Sequence, residues 1–214
     1  MKIKLFLLSI IFLSFFTYLS YTVAKEYWQQ IDFDTTVKLQ DHILRKFDPV
    51  FSYFSLLGSA EITVLFCFIM AFLSLIRLKI LPVLGWVLII PATLAEIFGK
   101  LVLFHPAPPV FLHRTLLPTG LPSFYVHTDF SYPSGHMTRT VFIAVILIIL
   151  TLMRLKDNFL KITIISFLSG LIFLMGVTRV YLGEHWLSDV LGGSLLGAGM
   201  GFLASILILR PKLV

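Results

Sequence analysis

Long apolar runs separated by short polar or basic segments dominate this chain of 214 residues. A helix needs about 20 mainly apolar residues to cross the hydrocarbon core of a bilayer. Six runs have this character, at residues 3–23, 54–76, 80–104, 135–153, 162–180 and 187–209. The pattern predicts an all-α integral membrane protein, in which a bundle of six transmembrane helices forms a single membrane-embedded domain over residues 1–214.

The amino-acid composition agrees with a membrane protein. Hydrophobic residues make up 58% of the chain and charged residues 13%, whereas soluble domains contain about 45–50% and about 25%. The formal net charge of +6 does not indicate nucleic-acid binding, because the basic residues lie between apolar runs rather than on a soluble face. The single cysteine, Cys67, lies inside an apolar run, so no intrachain disulfide can form.

The first apolar run has two interpretations. Lys2 and Lys4 before it and Ala24 after it are compatible with a cleaved signal peptide. The run is longer than the apolar core of about 7–15 residues in such peptides, which favours a retained transmembrane helix.

Basic residues indicate the orientation in the membrane, because short cytoplasmic segments are enriched in Lys and Arg. Threading six spans places the following basic residues on one side, together with a single acid, Asp157: Lys2, Lys4, Arg77, Lys79, Arg154, Lys156, Lys161, Arg210 and Lys212. Both termini are therefore expected in the cytoplasm, and segments 25–50, 105–133 and 181–186 on the outer side. The compact chain and its charge pattern favour a bacterial inner membrane.

The first outer segment is partly amphipathic. Asp34 is a plausible helix N-cap, and Leu39, Ile43 and Phe47 would share one face of a helix over 34–47. Such a helix could lie on the membrane surface. A connector whose apolar stripe packs on the bundle explains the pattern equally well.

Three polar groups lie at the outer ends of the spans, where ionisable residues are costly and usually functional. The first is Lys100, for which Glu96 one turn earlier is a suitable partner at i,i+4. A lysine at this position also commonly extends to the membrane interface, so Lys100 alone does not indicate a site.

The second group is Tyr132-Pro133-Ser134-Gly135-His136, directly before the fourth run. Pro133 and Ser134 are typical of a helix start, where free backbone N–H groups bind anions. The Ser134 hydroxyl can add a donor, Gly135 allows close backbone approach, and His136 can exchange a proton with a bound group. The structural alternative is an ordinary capped turn with an interfacial histidine.

The third group is Thr178-Arg179, His185 and Asp189. Helical spacing puts His185 and Asp189 on one face, where the carboxylate can accept the imidazole N–H and leave the other ring nitrogen as a nucleophile. The same face continues as a ladder of small residues that would pack on another helix and direct both side chains into the bundle. The ladder consists of Gly193, Gly197 and Gly201. A structural His–Asp pair with Arg179 as an interfacial anchor is the alternative.

These residues resemble the three signatures of the type-two phosphatidic acid phosphatase superfamily, K-x6-R-P, P-S-G-H and S-R-x5-H-x3-D. The second signature is intact at 133–136, and the third has threonine in place of serine at Thr178. The first begins at Lys100 and ends at Pro108, but Ala107 occupies the arginine position. Span number and signature order also match, so the resemblance covers nearly the whole chain.

The resemblance implies a phosphatase that needs no metal and no cofactor. His185 would attack phosphorus and form a phosphohistidine that water later hydrolyses, Asp189 would orient His185, and His136 would protonate the leaving oxygen. Four residues would bind the phosphate oxygens: Lys100, Ser134, Gly135 and Arg179. A site rich in cationic donors suits a transferring phosphoryl group.

Alanine at position 107 removes a donor whose loss can lower the rate by a factor on the order of 10²–10³. Three explanations are open: another cation compensates, the substrate needs less charge neutralisation, or the protein is a less active homologue. The candidates for compensation are Arg139, Arg114 and His105. Compensation is favoured, because every other catalytic position is present.

The predicted function is hydrolysis of phosphomonoester or diphosphate groups on membrane lipids, with the lipid phosphate and the bilayer as partners. Candidate substrates are isoprenyl diphosphates such as undecaprenyl diphosphate, phosphatidylglycerophosphate, phosphatidic acid and lipid A phosphate, and the sequence does not choose among them. The alternatives are a phosphotransferase that uses a lipid phosphate donor and a non-catalytic lipid-phosphate binder.

Overall fold

The computed structural model describes residues 1–117 and 129–209, and this part of the chain is predominantly helical. Its α-helices, in chain order, are α1 (Lys2–Ala24), α2 (Gln29–His42), α3 (Asp48–Ser55), α4 (Ala60–Ile76), α5 (Ile80–Val87), α6 (Ile89–Val102), α7 (Gly135–Arg154), α8 (Asn158–Tyr181) and α9 (Leu187–Ile208). Short 3-10 turns occupy Arg45–Phe47, Leu56–Gly58 and Val110–Leu112.

Six helical segments of the described chain are long and apolar enough to cross a membrane. They are Lys2–Ala24, Arg45–Ile76, Ile80–Val102, Gly135–Arg154, Asn158–Tyr181 and Leu187–Ile208. Their number confirms the predicted architecture of an all-α integral membrane protein with six spans, although the second segment begins at Arg45 rather than at residue 54.

The second span is interrupted, whereas the sequence pattern predicts a continuous helix from residue 54. α3 ends at Ser55, and α4 begins after Ser59, whose hydroxyl caps the helix. The turn between them brings Gly58 against His136, because a Cβ at Gly58 would lie 3.0 Å from the ring carbon Cδ2. The interruption therefore shapes the surroundings of His136.

The contact between α7 and α9 forms the centre of the bundle. The glycine ladder faces α7, as the sequence predicts: a Cβ on Gly193 or Gly197 would lie 2.3 Å from a backbone oxygen of α7 or its cap. Gly193 lies against Ser134, and Gly197 lies against Thr138. Because both contacts advance by four residues, the two helices run parallel and begin at the same end of the bundle.

Replacing Gly197 with alanine should destabilise the protein by about 1–3 kcal/mol, because the methyl group would have to displace the backbone of α7. Helix propensity alone favours alanine by about 1 kcal/mol. Gly170 on α8 is the matched control, since nothing lies within 4 Å of a Cβ built there. Thermal unfolding in detergent should give a lower midpoint for Gly197→Ala but not for Gly170→Ala. Equal midpoints would contradict the close packing of α7 and α9.

The segment after α1 contains a helix, but the predicted boundaries of 34–47 are wrong. α2 begins five residues earlier, and it ends at His42 because Ile43 adopts an extended conformation. Asp34 therefore lies inside the helix rather than at its cap, and Phe47 belongs to a separate 3-10 turn.

Polar residues attach α2 to the bundle, and Leu39 of the predicted apolar stripe also packs against the core formed by α7, α8 and α9. Asp32 and Thr36 are the buried residues of this helix. Farther along, Gln40 donates hydrogen bonds from Nε2 to the backbone oxygens of Leu112 and Tyr181, at 2.7 and 2.9 Å. α2 is therefore joined to the loop after α6 and to the end of α8.

Candidate active site

The His185–Asp189 pair lies at the beginning of α9. Nδ1 of His185 is 3.2 Å from Oδ2 of Asp189, and the same oxygen accepts the backbone N–H of Trp186 at 2.9 Å. Both side chains are buried, and Asp189 is 0% exposed. When Nδ1–H is donated to the carboxylate, Nε2 keeps its lone pair and can act as a nucleophile.

The surroundings keep the His185 imidazole neutral. Burial lowers the pKa of His185 well below its usual value, and the positive charge of Arg179 lowers it further. Lys100 and Arg139 act in the same direction. The neutral ring is the reactive form of a histidine nucleophile.

The segment of the second signature lies directly beside this pair. The Ser134 backbone N–H donates to the backbone oxygen of Asp189 at 3.0 Å, and α7 begins at the next residue. His136 lies within electrostatic reach of His185 and of the same three cations. The two histidines predicted to flank one phosphorus atom are therefore at the same end of the bundle.

A buried carboxylate, Glu96, joins two of the cations. Its Oε1 accepts a hydrogen bond from Nζ of Lys100 at 2.9 Å, and its Oε2 accepts one from Arg139 at 2.7 Å. The carboxylate lies flat on the Cα of Gly135, where a Cβ would be 2.2 Å from Oε1. Gly135 is therefore required by the approach of Glu96, which holds Lys100 and Arg139 near the N-terminus of α7.

The third cation, Arg179, reaches the cluster from the end of α8. Its guanidinium donates to the Ser55 hydroxyl and to the Glu184 carboxylate, and the residue is 2% exposed. Glu184 also accepts a hydrogen bond from the Thr115 hydroxyl. These contacts fix the guanidinium beside His185.

Three buried donors of the cluster have no hydrogen-bond partner within residues 1–117 and 129–209. They are Oγ of Ser134, Nε of Arg139 and Nε of Arg179. Buried polar atoms are normally paired, so these donors indicate where an anionic ligand can bind. The same part of the chain contains no group of three or more His, Cys, Asp or Glu side chains arranged to hold a metal ion.

Of the candidate replacements for the missing arginine, the described structure places Arg139 in the cluster and the other two elsewhere. Arg114 donates to the Tyr181 hydroxyl and to the Gln40 backbone oxygen, both at 3.1 Å. His105 lies against the opposite oxygen of Asp189, and burial lowers the pKa of His105 to about 4. Neither residue therefore belongs to the cluster formed by Lys100, Arg139 and Arg179.

The sequence pattern did not indicate Ser55 and Asp32. Their partners, Arg179 and Ser188, are 124 and 156 residues away, and no local spacing reveals contacts of that separation. Glu184 was also missed. Its position directly before His185 and five residues after Arg179 could have indicated an ion pair with that arginine.

Comparison with known proteins gives a family match. The model of the PAP2 superfamily matches residues 80–211. Over 125 residues the chain is 34% identical to the undecaprenyl-diphosphatase of Sulfolobus acidocaldarius, which covers 56% of this chain and 53% of that protein. Over 77 residues it is 34% identical to phosphatidylglycerophosphatase B of Bacillus subtilis, which covers 36% of this chain and 38% of that protein.

The structural similarity extends further than these alignments, which span about half or less of the two curated relatives. A crystal structure of a transmembrane PAP2-type phosphatidylglycerolphosphate phosphatase from Bacillus subtilis matches with a TM-score of 0.73, over 92% of this chain and 93% of that chain. The sequence identity in this match is 21%, so it shows a shared fold. Because the family model covers more than half of the chain and includes all three signature segments, the chain belongs to the PAP2 superfamily.

Proposed function

We propose that this protein is a membrane lipid phosphatase, which hydrolyses phosphomonoester or diphosphate groups through a phosphohistidine on His185. The observation that carries the proposal is the buried His185–Asp189 pair beside a cluster of three cations. Membership in the superfamily and the names of its relatives, an undecaprenyl-diphosphatase and a phosphatidylglycerophosphatase B, support a lipid phosphate as the substrate.

In the proposed reaction, Nε2 of His185 attacks phosphorus, and the bond between phosphorus and the leaving oxygen breaks. His136 donates a proton to that oxygen, so the lipid leaves as an alcohol, or as a monophosphate when a diphosphate is cleaved. Water then attacks the phosphohistidine while His136 accepts a proton, the P–N bond breaks, and inorganic phosphate leaves. Asp189 stabilises the positive charge that develops on His185.

Cationic side chains supply the charge stabilisation in this mechanism. Lys100, Arg139 and Arg179 would bind the phosphate oxygens, with the Ser134 hydroxyl and the backbone N–H of Gly135 as further donors. Donors fixed before the reaction stabilise the charge of the transition state without reorganisation. The proposed chemistry therefore needs no metal ion.

We also propose that the site faces the extracytoplasmic side of a bacterial inner membrane. The loops between α4 and α5 and between α7 and α8 carry basic residues and lie at the opposite end of the spans from His185. Short basic loops face the cytoplasm. Both termini would then be cytoplasmic as well. A lipid head group could enter the site from the outer leaflet while its chains stay in the bilayer.

Assay of the detergent-purified protein against lipid phosphates tests the function. With EDTA present, the protein should release phosphate from at least one of undecaprenyl diphosphate, phosphatidylglycerophosphate, phosphatidic acid and lipid A phosphate. In ¹⁸O-labelled water, the released phosphate should carry the label, because water is the acceptor. Activity only after addition of a divalent metal would contradict the mechanism. Lipid binding without phosphate release would identify a binder instead.

A further inference from the structure

Behind the catalytic pair lies a buried network of Asp32, Ser188 and His105, which the proposed reaction does not use. Asp32 of α2 accepts the Ser188 backbone N–H on Oδ1 at 2.8 Å and the Ser188 hydroxyl on Oδ2 at 2.7 Å. Asp32 is 1% exposed, and Ser188 directly precedes Asp189. α2 therefore holds the first turn of α9, the turn that carries Asp189.

His105 lies between the two carboxylates. Its Nε2 is 3.7 Å from Oδ1 of Asp189, 3.8 Å from Oδ2 of Asp32 and 3.4 Å from Oγ of Ser188. All three neighbours are oxygens, so the tautomer with the proton on Nε2 fits these surroundings. Because burial lowers the pKa of His105 to about 4, the ring is neutral at neutral pH and offers this single N–H.

One oxygen of Asp189 depends on this arrangement. Oδ2 accepts hydrogen bonds from the His185 ring and the Trp186 backbone. Oδ1 is buried and has no hydrogen-bond partner among the residues that the structure describes. A buried carboxylate with an unpaired oxygen is costly. Nε2 of His105 lies 3.7 Å from that oxygen, and the Ser131 hydroxyl also favours the ionised carboxylate.

We propose that Asp32 and His105 are positioning residues, which act on His185 through Asp189 along the line His185–Asp189–His105–Asp32. The inference rests on the proposed function, because it concerns the same site. The His105 N–H stabilises the ionised form of Asp189. Asp32 competes for that N–H while it anchors Ser188.

Among residues 1–117 and 129–209, two titratable groups besides the carboxylate of Asp189 face the His105 ring. Asp32 approaches from α2, and burial raises the pKa of Asp32 while hydrogen bonds from Ser188 oppose this. Tyr132, in the segment before α7, packs edge-on with a centroid distance of 6.3 Å. Burial raises the pKa of Tyr132 as well, so it stays a neutral phenol across the working range of pH.

Replacing His105 with leucine should lower kcat about 10–100-fold, with little change in KM. The acid limb of the kcat profile should move to higher pH by about one unit, because the ionised form of Asp189 loses a donor and the His185–Asp189 pair takes up a proton more readily. His105→Gln keeps an N–H donor, so it should restore most of kcat and return the acid limb nearly to its wild-type position.

Asp32→Asn should move the acid limb in the opposite direction, to lower pH. The amide keeps an oxygen for the Ser188 backbone N–H, but it no longer repels Asp189 or competes as a charged acceptor for the His105 N–H. A network that only braces the fold would lower the folded fraction in both variants without shifts of opposite sign.

A second measurement does not depend on turnover. The pH midpoint of the His185 ring, followed by ¹⁵N NMR of histidine-labelled protein in micelles and assigned with His185→Gln, should rise in His105→Leu and fall in Asp32→Asn. Suppose that the wild-type protein releases phosphate, but that neither variant moves the acid limb of kcat or the NMR midpoint of His185. This inference is then wrong, and the proposed function stands. If the wild-type protein releases no phosphate, the proposed function is wrong, and the NMR midpoints alone decide on the network.

Discussion

Replacing His185 with alanine should lower the rate of phosphate release by a factor on the order of 10⁴ or more. Without the imidazole no phosphohistidine can form, and the remaining groups can only bind the substrate. Binding should persist, because Lys100, Arg139 and Arg179 are held by Glu96, Ser55 and Glu184 rather than by His185. The measurements are the initial rate of phosphate release per folded protein and the affinity for the same lipid.

His42 provides the matched control for this substitution. It is an exposed histidine on α2, and its Nδ1 lies 2.8 Å from the Lys38 backbone oxygen, so His42→Ala should keep the wild-type rate. Wild-type protein quenched during turnover of ³²P-labelled lipid should contain an acid-labile, alkali-stable phosphoenzyme, and His185→Ala should not. A phosphoenzyme in His185→Ala, or an unchanged rate, would identify a different nucleophile.

The parts of the molecule that the sequence predicted are those set by local periodicity. Apolar runs of about 20 residues define spans whatever their neighbours are, so all six were found. The spacing of Gly193 and Gly197 is four residues, which places both on one face of α9, so helix geometry predicted the glycine contact with α7. His185 and Asp189 are also in contact as predicted, but not through a shared helical face: His185 precedes Trp186, the N-cap of α9, and its ring reaches Asp189 from the turn before the helix.

The rest of the site depends on contacts between distant segments. Asp32 bonds Ser188 across 156 residues and Ser55 bonds Arg179 across 124. The predicted boundaries of α2 were wrong for the same reason. Aspartate is a common N-cap residue, so Asp34 was a reasonable choice for the helix start. The helix is instead held by the polar contact of Asp32 with α9, which no local sequence pattern predicts.

Glu96 makes one contact that local spacing predicts and one contact with a distant segment. Its ion pair with Lys100 follows from i,i+4 spacing and was predicted. Its second ion pair, with Arg139 43 residues away, was not. From the sequence alone, Arg139, Arg114 and His105 were equivalent candidates to replace the arginine missing at position 107. The ion pair with Glu96 separates Arg139 from the other two.

Arg139→Gln should lower kcat/KM by a factor on the order of 10²–10³, the effect of removing one preorganised donor from a transition state. The substitution removes a positive charge that acts on His185, and it leaves Glu96 paired with Lys100. Arg114→Gln is the control, since Arg114 is a part-buried arginine whose hydrogen bonds go to Tyr181 and Gln40. That variant should show a lower unfolding midpoint but nearly the wild-type kcat/KM per folded protein.

The same pair of variants decides why Ala107 is tolerated. If Arg139 supplies the missing charge, Ala107→Arg should change kcat/KM of the otherwise wild-type protein little. In the Arg139→Gln background the same substitution should raise kcat/KM at least about tenfold, since one cation then replaces another. If the protein were instead a less active homologue, Ala107→Arg would raise the wild-type rate by as much as it raises that of Arg139→Gln. Wild-type kcat/KM in Arg139→Gln would exclude Arg139 from phosphate binding altogether. Non-additivity between positions 107 and 139 is therefore the result that identifies compensation, because two independent donors would give additive effects.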